Sequence, residues 1–204
     1  MNLKGISFYL GFLCLPISIL AFINILYSSY FDYFLSIDSY FTTLLISLIV
    51  GLGLIFFSKK SNKKINFIEQ LLLVIASYLL ISLLISIPFY LSNYQVTFVN
   101  SLFESISGLT GTGFSIFRDI KYLDPTLILW RSSSQWIGGL YFLFFLIIIF
   151  SNKQFNFKMN DLTFSADVSI NSEDSIKNLL FRIFILYCIL SFLIFLFLSI
   201  SEVR

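Results

Sequence analysis

Residues 105–115 read Ser-Ile-Ser-Gly-Leu-Thr-Gly-Thr-Gly-Phe-Ser and lie between two long apolar runs. Glycine and threonine at this density do not hold a spanning helix. Non-helical backbone at membrane depth survives only where it is buried in protein or lines a water-filled path. A short helix followed by a Thr/Gly strand supplies what a cation path needs, a row of backbone carbonyl oxygens. The bland reading of the same glycines is punctuation between two helices. The flanking pattern favours the cation path.

The chain of 204 residues is 58% hydrophobic and 12% charged, with a mean hydropathy of +0.92. A soluble domain does not have that composition. No basic stripe interleaved with aromatics points to nucleic acid. Histidine is absent, which removes Ser-His-Asp and Cys-His catalysis and every His-based metal site. An enzyme is not expected, nor a cofactor beyond an ion carried as substrate. Cys14 and Cys188 lie inside apolar runs and read as small hydrophobes, not as a disulfide.

A helix needs about 20 apolar residues to cross a bilayer. Such runs fall at residues 5–27, 40–57, 67–91, 125–150 and 178–199. The first follows Lys4, as a signal peptide would, but it is too long for an h-region and no small-x-small cleavage site follows. A retained helix is expected. Residues 98–109 are too few to cross. Asp124-Pro125 reads as the N-cap and first residue of the next helix. Lys4, Lys59, Lys60, Lys63, Lys64, Lys153, Lys158, Lys177 and Arg182 share one side only if residues 98–109 enter and leave by the same face. The positive-inside rule makes that side cytoplasmic and puts the N-terminus there. The expected fold class is an all-α integral membrane protein with five transmembrane helices plus one re-entrant pore helix and filter loop. Residues 1–64 hold two leading helices and a basic cytoplasmic turn. Residues 65–151 hold a helix, the short re-entrant helix with its loop, and a further helix. Residues 152–204 hold a cytoplasmic loop and a last helix.

On the cation-path reading, the C-terminal end of the short helix brings partial negative charge into the membrane. Thr110, Gly111, Thr112 and Gly113 follow with carbonyls and two hydroxyls. Both glycines can take positive φ or let backbone come close to an ion.

These residues carry a resemblance. Phe103-Glu104-Ser105-Ile106-Ser107-Gly108-Leu109-Thr110-Gly111-Thr112-Gly113 resembles the first pore loop of the Trk/Ktr/HKT potassium transporters, commonly F-E-x-x-S-G-L-T-T-T-G. Residues 131–139, Arg-Ser-Ser-Ser-Gln-Trp-Ile-Gly-Gly, are similar to the R-Q-x-x-Q-W-x-G-G that opens the helix after the loop. Ile87-Pro88-Phe89 is similar to the Pro-Phe that ends the helix before it. The leading helices and the Lys-rich turn fit the Trk branch. The resemblance implies potassium uptake across the bacterial inner membrane, through four helix–loop–helix repeats around one pore, with residues 65–151 as the first repeat and the last helix of residues 152–204 as the start of a second. It implies that Thr110, Gly111, Thr112 and Gly113 bind potassium as one quarter of a selectivity filter. It also implies a cytoplasmic nucleotide-binding regulatory subunit, for which residues 152–177 are the available stretch. Gly111 stands where the family has Thr, which is expected to loosen the loop.

Glu104, Arg131 and Gln135 are the candidate filter supports. Glu104 is expected either to compensate the start of the short helix or to pair with a cation such as Arg131. For Arg131 the simpler expectation is snorkelling to the interface, and the alternative is a brace formed with Glu104. Gln135 and the serines at 132–134 are expected to hydrogen-bond to the loop. Gly138 and Gly139 form a small-residue helix contact. One repeat makes one quarter of a filter, so a conducting assembly takes its remaining repeats from the same or another chain. The competing expectation is a non-conducting remnant or assembly partner of a full-length transporter.

Overall fold

The computed structural model describes residues 2–33, 37–58, 65–150 and 173–201. Their secondary structure is α1 (Leu3–Tyr30), α2 (Ile37–Ser58), α3 (Phe67–Tyr90), α4 (Phe98–Thr110), a 3-10 turn (Ile120–Tyr122), α5 (Pro125–Phe150) and α6 (Glu173–Ile200). Of the six α-helices, five are long and apolar enough to cross a membrane, and α4 has only 13 residues. The chain is an all-α membrane protein. Each expected run is a helix, but α1 continues to Tyr30 and α6 begins at Glu173. Apolarity marks the part of a helix in hydrocarbon, while its hydrogen bonds carry on into the interface, where water completes the last turns. The basic turn at 59–64 and most of the 152–177 stretch lie outside the described residues.

The chain divides into two compact units, Met1–Gly139 and Leu140–Arg204. In the first, α1 and α2 cross at a pair of glycines. A Cβ on Gly11 would stand 2.6 Å from the Gly51 carbonyl oxygen. With no side chain there, the two backbones come into contact, as small residues allow in membranes. The seam continues through buried Cys14, Ile17 and Ala21 on α1 and Thr43 and Ser47 on α2. Serines of α3 bond to their own preceding turns, as Ser77 does to Val74 O at 2.7 Å and Ser86 to Leu83 O at 2.8 Å. In this way these two hydroxyls are satisfied without water.

One carboxylate fastens the starts of α1 and α3. Glu69 accepts from the Asn66 N–H at 2.8 Å and from the Asn2 N–H. Asn2 in turn caps α1, accepting from the Gly5 N–H at 3.0 Å. At the opposite end of α3, Pro88 lies inside the helix and withdraws a donor from its last turns. The Trp130 indole N–H donates to Ile85 O there at 3.0 Å. Trp130 is 1% exposed and also packs against the Tyr40 ring at 5.7 Å. It thereby ties α5 to α2 and α3.

The excursion between α3 and α5 returns to where it began. The Asp124 N–H donates to the Tyr94 hydroxyl at 2.7 Å, and the Tyr94 and Phe117 rings meet edge-on at 5.9 Å. Tyr94 precedes α4, whereas Phe117 and Asp124 follow it, so α4 and its loop form a re-entrant hairpin.

The second unit carries the rest of α5 and α6. Within it the Tyr141 and Phe145 rings stack one helical turn apart at 6.2 Å. Ser191 and Ser199 bond to Tyr187 O and Phe195 O, each at 2.8 Å.

Candidate functional site

Helix α4 ends on Gly111, which has φ +70°. The Gly111 N–H donates to Gly108 O at 3.0 Å and the Thr112 N–H to Ser107 O at 3.1 Å. These are the two bonds of a Schellman cap, whose left-handed position favours glycine. A β-branched residue there carries a conformational cost. Gly111 was expected to loosen the loop; it occupies the position that stops the helix. Gly113, at φ +77°, makes the second left-handed step.

The hydroxyls of this segment are turned back onto the helix. Thr110 Oγ1 donates to Ile106 O at 2.7 Å, and Thr112 Oγ1 lies 3.2 Å from Ser107 Oγ. Ser107 Oγ donates to Phe114 O at 2.6 Å. Among the described residues the carbonyls of Thr110, Gly111 and Thr112 accept no hydrogen bond. Residues 110–114 are exposed, and nothing lies within 4 Å of a Cβ built on Gly111 or Gly113. Three consecutive carbonyls without a hydrogen bond thus lie at the C-terminal end of a short helix, on exposed residues.

Behind them lies a buried ion pair. Arg131 Nη1 donates to Glu104 Oε2 at 2.8 Å, with the two residues 6% and 1% exposed. Arg131 Nη2 donates to Gly113 O at 2.9 Å and to Phe114 O at 3.3 Å. Glu104 Oε1 accepts from the Ser115 hydroxyl and the Ile116 N–H, both at 2.6 Å. Ser115 Oγ accepts from the Phe117 N–H at 3.1 Å. The pair therefore fastens residues 113–116 to α4 and α5. A buried charge pair offsets its desolvation only with further hydrogen bonds, which here come from two carbonyls on Arg131 and from Ser115 and Ile116 on Glu104.

Three expectations change. Arg131 does not snorkel, because a carboxylate and two carbonyls lie within its reach inside the fold. Glu104 does not compensate a helix start; no acidic residue occupies the first turn of α4. The serines at 132–134 bond to Ile128 O, Leu129 O and Arg131 O of their own helix, not to the loop. Gln135 is half-buried, and among the described residues no hydrogen bond joins it to the loop. The contributions of Ser107 and Ser115 were missed. Their signal was spacing: Ser107 lies one helical turn after Glu104, on the same face.

Helix α5 is set against this hairpin at small residues. Asp124 caps it, accepting from the Thr126 N–H at 3.2 Å. A Cβ on Gly138 would stand 2.0 Å from Leu109 O, and one on Gly108 would stand 2.3 Å from Ser134 Oγ. No cluster of three or more His, Cys, Asp or Glu side chains suited to a metal occurs among the described residues.

Residues 36–203 match the TrkH family model, described as cation transport protein. The chain is 29% identical over 106 residues to the Trk system potassium uptake protein TrkG of Escherichia coli, 52% of this chain and 22% of that one. It is 38% identical over 72 residues to the Trk system potassium uptake protein TrkI of Halomonas elongata, 35% of this chain and 15% of that one. An uncharacterized cation transporter of Methanocaldococcus jannaschii is 28% identical over 138 residues, 68% of this chain and 28% of the relative. The matched stretch thus spans between 15% and 28% of the length of these curated relatives.

Proposed function

The chain belongs to the TrkH family of cation transport proteins, and from that premise we propose that it contributes the first pore repeat of a potassium uptake path. The single observation that carries this reading is the run of unpaired carbonyls at Thr110, Gly111 and Thr112. An unsatisfied carbonyl facing lipid costs several kcal/mol, so these oxygens face water, an ion or more protein. Thr110, Gly111, Thr112 and Gly113 are the proposed potassium ligands of this quarter of the filter. Glu104 and Arg131 hold the segment that follows. The remaining repeats come from further sequence or from other chains. The N-terminus is cytoplasmic, in a bacterial inner membrane. A nucleotide-binding regulatory subunit on the cytoplasmic side completes the system. Uptake is driven by the membrane potential, worth about 2.3 kcal/mol per charge per 100 mV.

The test is rubidium and sodium uptake in cells lacking their own potassium uptake, expressing the chain with the chains that complete its pore. Substitution Gly113→Ser is expected to abolish uptake or shift the rubidium-to-sodium ratio, because φ +77° is a conformation serine adopts poorly. An active assembly whose ratio ignores that substitution sinks the filter assignment.

A further inference from the structure

The Arg131 guanidinium meets its partners through different nitrogens. Nη1 takes the Glu104 carboxylate and Nη2 takes the Gly113 carbonyl oxygen. The carboxylate is further engaged by Ser115 and Ile116. The end of the pair that touches the Gly113 carbonyl is therefore positive, although the pair as a whole is neutral. Both side chains are almost fully enclosed, at 8% and 0% exposure, so solvent screens them little.

We propose that Arg131 is a specificity-determining residue that discriminates against divalent cations. This rests on the reading of residues 110–113 as part of a filter. A divalent ion such as calcium sits about 2.3–2.6 Å from an oxygen ligand. Gly113 O is itself 2.9 Å from Nη2. A calcium ion on that oxygen would thus lie within about 5.5 Å of a fixed positive charge. Coulomb repulsion scales with the charge of the ion, so calcium meets twice what potassium meets at the same place. The carbonyls of Thr110, Gly111 and Thr112 have no guanidinium on them and stay open to a monovalent ion. Glu104 cancels the remote field of Arg131, so the site repels divalent ions locally without repelling all cations.

The experiment is rubidium uptake by the conducting assembly at increasing external calcium, read as the half-blocking calcium concentration. Arg131→Gln leaves the Glu104 charge uncompensated, and the half-blocking concentration should fall roughly tenfold or more. Glu104→Gln leaves Arg131 unpaired and should raise it. The double substitution removes the positive end at Gly113 O without leaving a bare carboxylate, so the half-blocking concentration should lie below the starting value and above that of Arg131→Gln. Arg131→Lys keeps the charge without the two-pronged geometry and should retain the original calcium sensitivity. An unmoved calcium sensitivity in Arg131→Gln overturns the proposal. So do shifts of the same sign in both single variants, or an Arg131→Lys that behaves like Arg131→Gln. Should Arg131→Gln fail to assemble, Arg131→Lys with Glu104→Gln decides, and tightened block in either is fatal. An unsubstituted assembly that takes up no rubidium defeats the filter reading and this inference with it. Normal uptake with unmoved calcium block defeats this inference alone.

Discussion

Gly138 shows how much a missing side chain can decide. Its Cα faces the last carbonyls of α4, and a methyl group there would stand 2.0 Å from Leu109 O. The obstacle is backbone at a helix end, which cannot rotate away as a side chain would. Gly138→Ala is therefore expected to push α5 off the hairpin and to cost about 3 kcal/mol, the upper part of the overpacking range. A thermal unfolding curve of the detergent-purified protein checks this; an unchanged midpoint would mean that the two elements are not in contact. Gly108 makes the contrasting case. Its nearest obstacle is the Ser134 hydroxyl, which can turn aside. Sequence reading anticipated a close helix contact at Gly138, because paired glycines in an apolar helix have few other uses. It did not anticipate that Gly111 would be a helix stop. That role depends on which residue carries positive φ, and composition alone does not say.

Helix α5 is held by its cap, by its glycine contact and by Trp130. The last is a device that hydropathy conceals. A tryptophan in an apolar run reads as lipid-facing or packing material. Here its N–H meets a carbonyl of α3 in the turn that Pro88 disturbs. Trp130→Phe keeps most of the ring volume and removes the donor. It should destabilise the protein by about 1 kcal/mol, the usual net worth of one hydrogen bond, with some added loss of packing. Urea or thermal unfolding of that variant beside Trp136→Phe makes the comparison; equal effects would assign the loss to ring volume alone. The short helix α4 was legible in advance because its apolar run is too brief to cross and because Asp124-Pro125 announces the next helix. Its attachment was not. The Glu104–Arg131 contact spans 27 positions of sequence, and no local pattern chooses between that pairing and a guanidinium that reaches the interface.

At the scale of the whole molecule the decisive fact is an open edge. The loop at residues 110–114 is exposed, with free carbonyls and empty space at both glycines. Reconstituted by itself in potassium-loaded liposomes, the chain is expected to carry no potassium flux above protein-free vesicles under an imposed potential. Flux from the isolated chain would show that copies of it close a pore among themselves. The amino-acid sequence alone suffices for the class of the protein, the positions of its long helices and the presence of a segment too short to cross. Those follow from one-dimensional quantities, chiefly the length of apolar runs and the glycines at which a helix cannot continue. Only the tertiary structure decided that Glu104 and Arg131 are joined, that Ser107 and Ser115 hold the loop, and that the Gly113 carbonyl is claimed by a guanidinium while its three predecessors stay free. The physical reason is that burial makes a charge seek the partner nearest in space. Distance through space is set by how α4 and α5 cross, not by their separation along the chain.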